Sequence, residues 1–246
     1  MTSDRYFFQT RLLQQWLDNL RKKDHRCIGP QVRDGAIVYD ELHSTKQLPH
    51  GLSDKQSPGS YSVVKNSSNK FFDWANGPQA IKPLLFAARE KLWQSKLDKD
   101  GEILFETTKA KIKPTVIIGA RACDVAAMKI QDQHFLEQEF VDPYYKDRRD
   151  NLLIVAVNCS HPADTCFCHS TGDGPFLDDR DDVVLTELDK GFLVVIQTSQ
   201  GESLLEGLAV QKSTSAQRAE SESNKNKASN PKRQSPTGNI NSIWIT

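Results

Sequence analysis

Four cysteines in the middle of the sequence carry its clearest chemical signal. Cys123, Cys159, Cys166 and Cys168 fall within 46 residues at the spacing C-x35-C-x6-C-x-C, and the fifth, Cys27, stands apart. An odd count behind an opening that lacks the basic-then-apolar order of a secretory signal argues against a disulfide framework. Clustered thiols in a reducing compartment point instead to a metal site or redox chemistry. The spacing is neither that of a zinc ribbon nor that of a ferredoxin run, so its meaning depends on where the fold places the thiols. Soft tetrathiolate sites select zinc or an iron–sulfur cluster. A buried core cysteine is the ordinary alternative for any one thiol, and it is the reading for Cys27. His134, His161 and His169 lie in the same region. The last two flank the C-x-C pair and could replace a thiolate or tune a cluster, although loop histidines are more often simply solvated.

The elements around these residues explain why they should converge. Thr115-Val-Ile-Ile118 reads as a short apolar strand, residues 122 to 137 as a helix, and Leu152-Leu-Ile-Val-Ala-Val157 as a second apolar strand. Two strands without polar alternation, joined through a helix, predict a parallel βαβ unit buried on both faces. Ligands of open α/β sheets sit outside the carboxyl ends of the strands. Cys123 follows the first strand and Cys159 directly follows the second, so both should emerge at one sheet end. The Pro- and Gly-rich loop HPADTCFCHSTGDGP can return Cys166 and Cys168 to them. Gly172 and Gly174 could aim backbone N–H groups at sulfur. Arg121 and the start of a helix beside Cys123 should lower that thiol's pKa.

The rest of the chain reads more plainly. Leu13, Trp16, Leu17 and Leu20 form one stripe of an N-terminal helix that Ser3 or Asp4 could cap. Gly35-Ala-Ile-Val-Tyr39 is a strand, and residues 41 to 77 lack periodicity, a length of irregular chain that is often functional. A second helix should run from Pro83 through Leu92. Residues 182 to 185 and 191 to 196 predict a hairpin, followed by a helix over about 202 to 210. Asp178-Asp-Arg-Asp-Asp182 reads as a solvated turn. The fold class is therefore α/β, a mixed sheet around a parallel βαβ core, with one domain over 1–210.

Composition limits the function. The 32 Lys+Arg balance 32 Asp+Glu, which gives no support for a nucleic-acid binder. No apolar run approaches the ~20 residues of a membrane span, and the reading is a cytoplasmic protein. Residues 211–246 hold six Lys/Arg against two Asp/Glu and few apolar residues, and so read as a disordered basic tail. No Ser/His/Asp order, P-loop or G-x-G-x-x-G is present, so a hydrolase or nucleotide-binding enzyme has no residue support.

Several segments taken together resemble a known family. They are Gly119-Ala-Arg-Ala-Cys-Asp124, Asp142-Pro-Tyr-Tyr145 with Arg148 and Arg149, Asn158-Cys159, and Thr165-Cys-Phe-Cys168 running to Gly172-x-Gly-Pro175. Leu48-Pro49 and Gln56-Ser-Pro-Gly-Ser-Tyr61 add to them. The pattern, over about residues 5 to 208, is similar to the beta subunits of cytoplasmic nickel-iron hydrogenases and sulfhydrogenases and to the related iron–sulfur subunit of anaerobic sulfite reductase. The resemblance implies a non-catalytic redox subunit with a [4Fe–4S] cluster on Cys123, Cys159, Cys166 and Cys168. Its partners would be a flavin- and NAD(P)-binding reductase subunit together with a catalytic hydrogenase or sulfite reductase subunit. Ala122 stands where the family pattern leads one to expect Pro. The family continues into a ferredoxin-like part with two four-cysteine cassettes; its absence reads as a truncated or frame-altered ending. The alternative from another class is a protein-interaction scaffold with a zinc or empty thiol site.

Overall fold

The unbroken apolar runs at 115–120 and 152–157 sit at the centre of the molecule because neither can expose a face to water. The computed structural model describes residues 5–77, 80–107, 112–177 and 181–229. In chain order the first elements are β1 (Arg5–Gln9), α1 (Leu13–Lys22), β2 (Arg26–Arg33), β3 (Ala36–Glu41), β4 (Leu52–Ser57), β5 (Ser60–Lys65) and the single turn α2 (Lys82–Leu85). They continue with β6 (Trp93–Leu97), β7 (Ile103–Thr107), β8 (Thr115–Ala120), α3 (Ala122–Leu136), α4 (Pro143–Asp150), β9 (Leu152–Val157) and α5 (Cys168–Thr171). The last are β10 (Val183–Glu187), β11 (Gly191–Ile196), α6 (Ser199–Leu204), β12 (Gln211–Lys212) and α7 (Ser215–Ala228).

Eight strands form one sheet in the order β12-β1-β11-β10-β9-β8-β2-β3, with hairpins β4-β5 and β6-β7 apart from it. Strands β2, β8, β9 and β10 pair in parallel, and β3, β11 and β1 add antiparallel at the flanks. The expected βαβ unit is present, parallel and central, in a mixed α/β sheet. Alternate residues of one apolar strand supply opposite cores. Val116, Ile118, Val155 and Val157 pack with Phe8, Trp16, Leu17, Leu20 and Leu204 on one face. Ile117, Ala120, Ile154 and Ala156 pack with Leu85, Val125, Met128 and Tyr145 on the other. Period-two direction without period-two chemistry is what burial on both faces requires.

Several expectations change in contact with the structure. The first described residues are a strand, and α1 starts only at Leu13 after a 3-10 turn; Ser3 and Asp4 lie outside the described residues. The helix expected from Pro83 to Leu92 is one turn long. Ile81 and Leu85 are buried, but Leu92 is half exposed, so a longer helix has no face to bury. Residues 41 to 77 contain the hairpin β4-β5, hidden from a hydrophobic pattern by its Ser, Asp, Lys and Gln content. The helix expected over 202 to 210 lies at Ser199–Leu204, where the Thr198 hydroxyl accepts from Gly201 N. In the acidic run, Asp182 is structural: it accepts from Ile154 N at 2.8 Å and from the Thr198 hydroxyl at 2.7 Å. Residues 178–180 lie outside the described residues.

The disorder expected from residue 211 does not hold over 211–229. Lys212 and Gln211 pair with Tyr6 and Phe7 of β1, and Thr214 with Gln217 forms a capping box that starts α7. The capping box and the few small buried residues, Ser221 and Ala228, support a helix whose composition looks like solvated tail. Residues 230–246 lie outside the described residues.

Two interactions fix the segments around the sheet. The indole of Trp16 is fully buried, packs on Phe8 and donates Nε1–H to Leu204 O at 2.6 Å. Trp16→Ala should cost about 3–5 kcal/mol of unfolding free energy in urea titrations, because it empties a large volume and orphans a carbonyl. In the same core, the buried Glu187 carboxylate at the end of β10 accepts from Phe71 N and Phe72 N at 2.7 and 2.8 Å. Burial raises its pKa from 4.5 to about 7 against those two hydrogen bonds and the charges of Lys70 and Arg121. The native state therefore holds more protons than the unfolded chain between these two values. This group's contribution to stability is full below pH 4.5, declines as pH rises through the window, and is flat above about 7. The Glu187 carboxyl carbon should titrate by NMR with a midpoint about 7; a midpoint near 4.5 would contradict the assignment.

Candidate metal centre

The site is built at the carboxyl ends of β8 and β9, where the sheet register is interrupted. The pairing of β8 with β9 shifts between Ile118 and Ala120. Gly119 sits there at φ +97, and a Cβ would meet the Phe72 ring at 2.8 Å. Only glycine fits both the backbone and the space. Directly beyond this bulge, Arg121 is the N-cap of α3, and its backbone N–H donates to the Asp124 carboxylate at 2.9 Å.

Arg121 is 2% exposed. Its guanidinium donates to Phe72 O and Trp74 O at 2.8 Å each and to Asn158 O at 3.3 Å, and it lies 4.4 Å from the Trp74 ring centroid. One cation thus joins the start of α3, the end of β9 and the segment 71–77. The Asn158 amide fixes the second corner: its N–H donates to Leu185 O, its Nδ2 to the Thr186 hydroxyl, and its Oδ1 accepts from Leu177 N.

Cys123 lies in the first turn of α3, and Cys159 follows Asn158. The loop after Cys159 folds back to both. A Cβ on Gly174 would stand 3.0 Å from Ala122 Cβ and 3.3 Å from Cys168 Sγ, so residue 174 touches the start of α3 and the C-x-C pair together. Cys159 N donates to Pro175 O at 3.1 Å, and Cys166 N closes a turn on Ala163 O at 3.1 Å. The Thr165 hydroxyl reaches Gln56 of β4 at 3.1 Å. None of the four forms a disulfide; Cys159, Cys166 and Cys168 act electrostatically on Cys123, and Cys159 and Cys166 on Cys168.

The charge balance reverses one expectation. Cys123 keeps exposed surface, yet the protein packed around it makes loss of hydration the largest influence on its thiol, followed by Asp124 and then Cys168, Cys159 and Cys166. Its pKa is driven up, not down. The Arg121 guanidinium is turned away into backbone carbonyls and leaves the helix terminus without that positive charge. Burial likewise raises Cys168 to about 11, with Cys166 and Cys159 adding to it, while backbone N–H groups of His169 and Cys168 oppose the rise. Crowded thiols with N–H groups directed at sulfur suit a cationic guest, which converts a coordinating thiol to thiolate. Among the described residues, no three His, Cys, Asp or Glu side chains stand in the arrangement of a single-ion site.

The other candidates separate cleanly. Cys27 is buried in β2 beside β8, and burial lifts its pKa to about 11. His161 Nε2 pairs with the Ser53 hydroxyl at 3.1 Å, His169 contributes its backbone N–H to Cys168, and the His134 ring packs on Phe135. Sequence reasoning missed Asn76, whose Nδ2 donates to Cys123 Sγ at 3.7 Å from 47 residues away. It also missed Asp54, which accepts from Ala75 N at 2.5 Å. An aromatic run ending in Asn-Gly was the available signal, and it marks a turn without naming its contact.

No family model matches the sequence, and no solved structure matches it. Among curated proteins, it is similar to sulfhydrogenase 2 subunit beta of Pyrococcus furiosus, 38% identical over 185 residues. That match takes in 74% of this chain and 46% of the relative, so the chain spans about half the length of the curated protein it matches. No helix among the described residues is long and apolar enough to cross a membrane. Over the aligned three quarters of its length, the chain is similar to a hydrogenase beta subunit.

Proposed function

We propose that this chain is an electron-transfer subunit in which Cys123, Cys159, Cys166 and Cys168 hold one [4Fe–4S] cluster. What supports the reading is that Cys123 and Cys159 leave the sheet at the carboxyl ends of two parallel strands, while the loop carrying Cys166 and Cys168 packs back against the start of α3. Such a cluster supplies one-electron storage when bound. The chain's own residues do the remaining work. Arg121 and Asn158 hold the two corner cysteines, the Gly174 position leaves room beside Cys168 Sγ, and backbone N–H groups face that sulfur. Electrons would pass from a flavin- and NAD(P)-binding reductase subunit to a catalytic hydrogenase or sulfite reductase subunit, in the cytoplasm.

The competing reading is a protein-interaction scaffold with zinc or an empty site. Zinc needs four sulfurs at about 2.3 Å in a closed tetrahedron, a tighter gathering than a cluster needs.

Anaerobic purification or reconstitution, with iron and acid-labile sulfide assays, separates the two readings. Iron and sulfide in equal amounts, with visible charge-transfer absorption, is the expected outcome. Replacing Cys166 and Cys168 together by Ser should abolish both iron and absorption, and Cys27→Ser should leave both unchanged. Zinc alone, or iron retained by the double variant, would sink the proposal.

A further inference from the structure

Asn76, part-buried in an irregular segment, is held by several contacts. Its own backbone carbonyl accepts from Gln56 Nε2 at 2.9 Å, the preceding Ala75 N–H is taken by Asp54, and Trp74 O is taken by Arg121. Three elements, β4, the segment 71–77 and the start of α3, therefore fix one side chain. Its amide donates to the Asp124 carboxylate and, at 3.7 Å, to Cys123 Sγ. A carboxylate facing the amide sets its orientation, since Nδ2 carries the hydrogens and Oδ1 would be repelled. Oδ1 is buried and has no hydrogen-bond partner, so the orientation is kept for the sake of the donor side.

We propose that Asn76 is a positioning residue for electron affinity: its side-chain N–H donates to the Cys123 sulfur and favours the reduced form of the cluster. The inference rests on the cluster reading above. The step is the gain of one electron by the cluster from a reduced flavin, which loses one; no bond is made or broken, and no proton moves. The added negative charge spreads onto the ligating sulfurs. A fixed N–H donor at one of them is therefore worth more in the reduced state than in the oxidised state. Asp124 is the counterpart that holds the donor in place, and Arg121 acts through Trp74 on the same segment.

The test is a mediated redox titration of the reconstituted full chain, followed by electron paramagnetic resonance of the reduced state, for the parent, Asn76→Ala and Asn76→Asp. Asn76→Ala should keep its iron-to-protein ratio and disfavour reduction on the order of tenfold, about 59 mV lower for one electron. Asn76→Asp keeps the shape, replaces the donor by an acceptor, and should move further in the same direction. If Asn76→Ala loses its cluster, Asn76→Asp decides on the same criterion. Unchanged potentials in cluster-bearing variants overturn the proposal, and so does loss of iron from both variants, which would make Asn76 purely structural. A parent protein that binds no iron fails the cluster reading itself, a result distinguishable from failure of this residue's role.

Discussion

The arrangement of the thiol site depends on one buried guanidinium. A cation removed from water is costly unless its hydrogens are satisfied and its charge is balanced. Arg121 meets most of the first condition: Nη1 and Nη2 donate to three backbone carbonyls from two distant segments and the guanidinium lies over the Trp74 ring, while its Nε is buried without a hydrogen-bond partner among the described residues. Asp124 and Glu187 supply the balance, since Arg121's charge acts on both carboxyl groups. Phe72 is the meeting point: its N–H goes to Glu187 and its carbonyl to Arg121. The segment 71–77 is thus pinned between the end of β10 and the start of α3, with little regular structure of its own.

This pinning converts sheet topology into site geometry. Parallel pairing brings the ends of β8 and β9 together, but it leaves the following residues free to diverge. The bulge at Gly119 turns the chain so that Arg121 points inward and Cys123 outward. Tyr39 of β3 holds that turn through its hydroxyl on Gly119 O at 2.7 Å. On the neighbouring strand, Asn158 spends its side chain on Thr186 and Leu177, so Cys159 leaves β9 along a set direction. Hairpin β4-β5 closes the third side through Gln56, which meets both Asn76 O and Thr165. Each contact is worth about 1 kcal/mol by itself. Their value lies in removing alternatives for the loop that carries Cys166 and Cys168.

Much of this framework is legible in the residues alone, and the legible parts share a cause. The unit β8-α3-β9 can be read because burial on both faces leaves no polar residue in the middle of either strand. Helix α1 can be read because Leu13, Trp16, Leu17 and Leu20 repeat on a single face. That Cys123 and Cys159 leave the sheet at the same end follows from parallel topology. What escapes is held by polar contacts at long range. Strand β2 carries Gly29 and Pro30, which look like a turn, but Pro30 is placed where β3 pairs beside it. Hairpin β4-β5 has almost no apolar pattern, and α7 is stabilised by a cap that its solvated composition hides. Glu187 resembles the polar end of a hairpin strand and is instead 5% exposed and bonded to a segment 115 residues earlier. No local pattern encodes such a partner.

The direction of Arg121 departs furthest from what its position in the sequence suggests. A basic residue two positions before a cysteine at a helix start suggests a lowered thiol pKa. Here the cation is consumed by carbonyls, and the thiols are left with one another and with Asp124 as neighbours. In the protein alone this favours neutral thiols at Cys123 and Cys168. Conversion to thiolates requires positive charge brought by the guest, because the native guanidinium is already committed. The protein therefore contributes shape, not charge, to the site. On the proposed reading, positive charge enters with the group the thiols hold, which favours a soft cationic group over an anionic ligand of the same size.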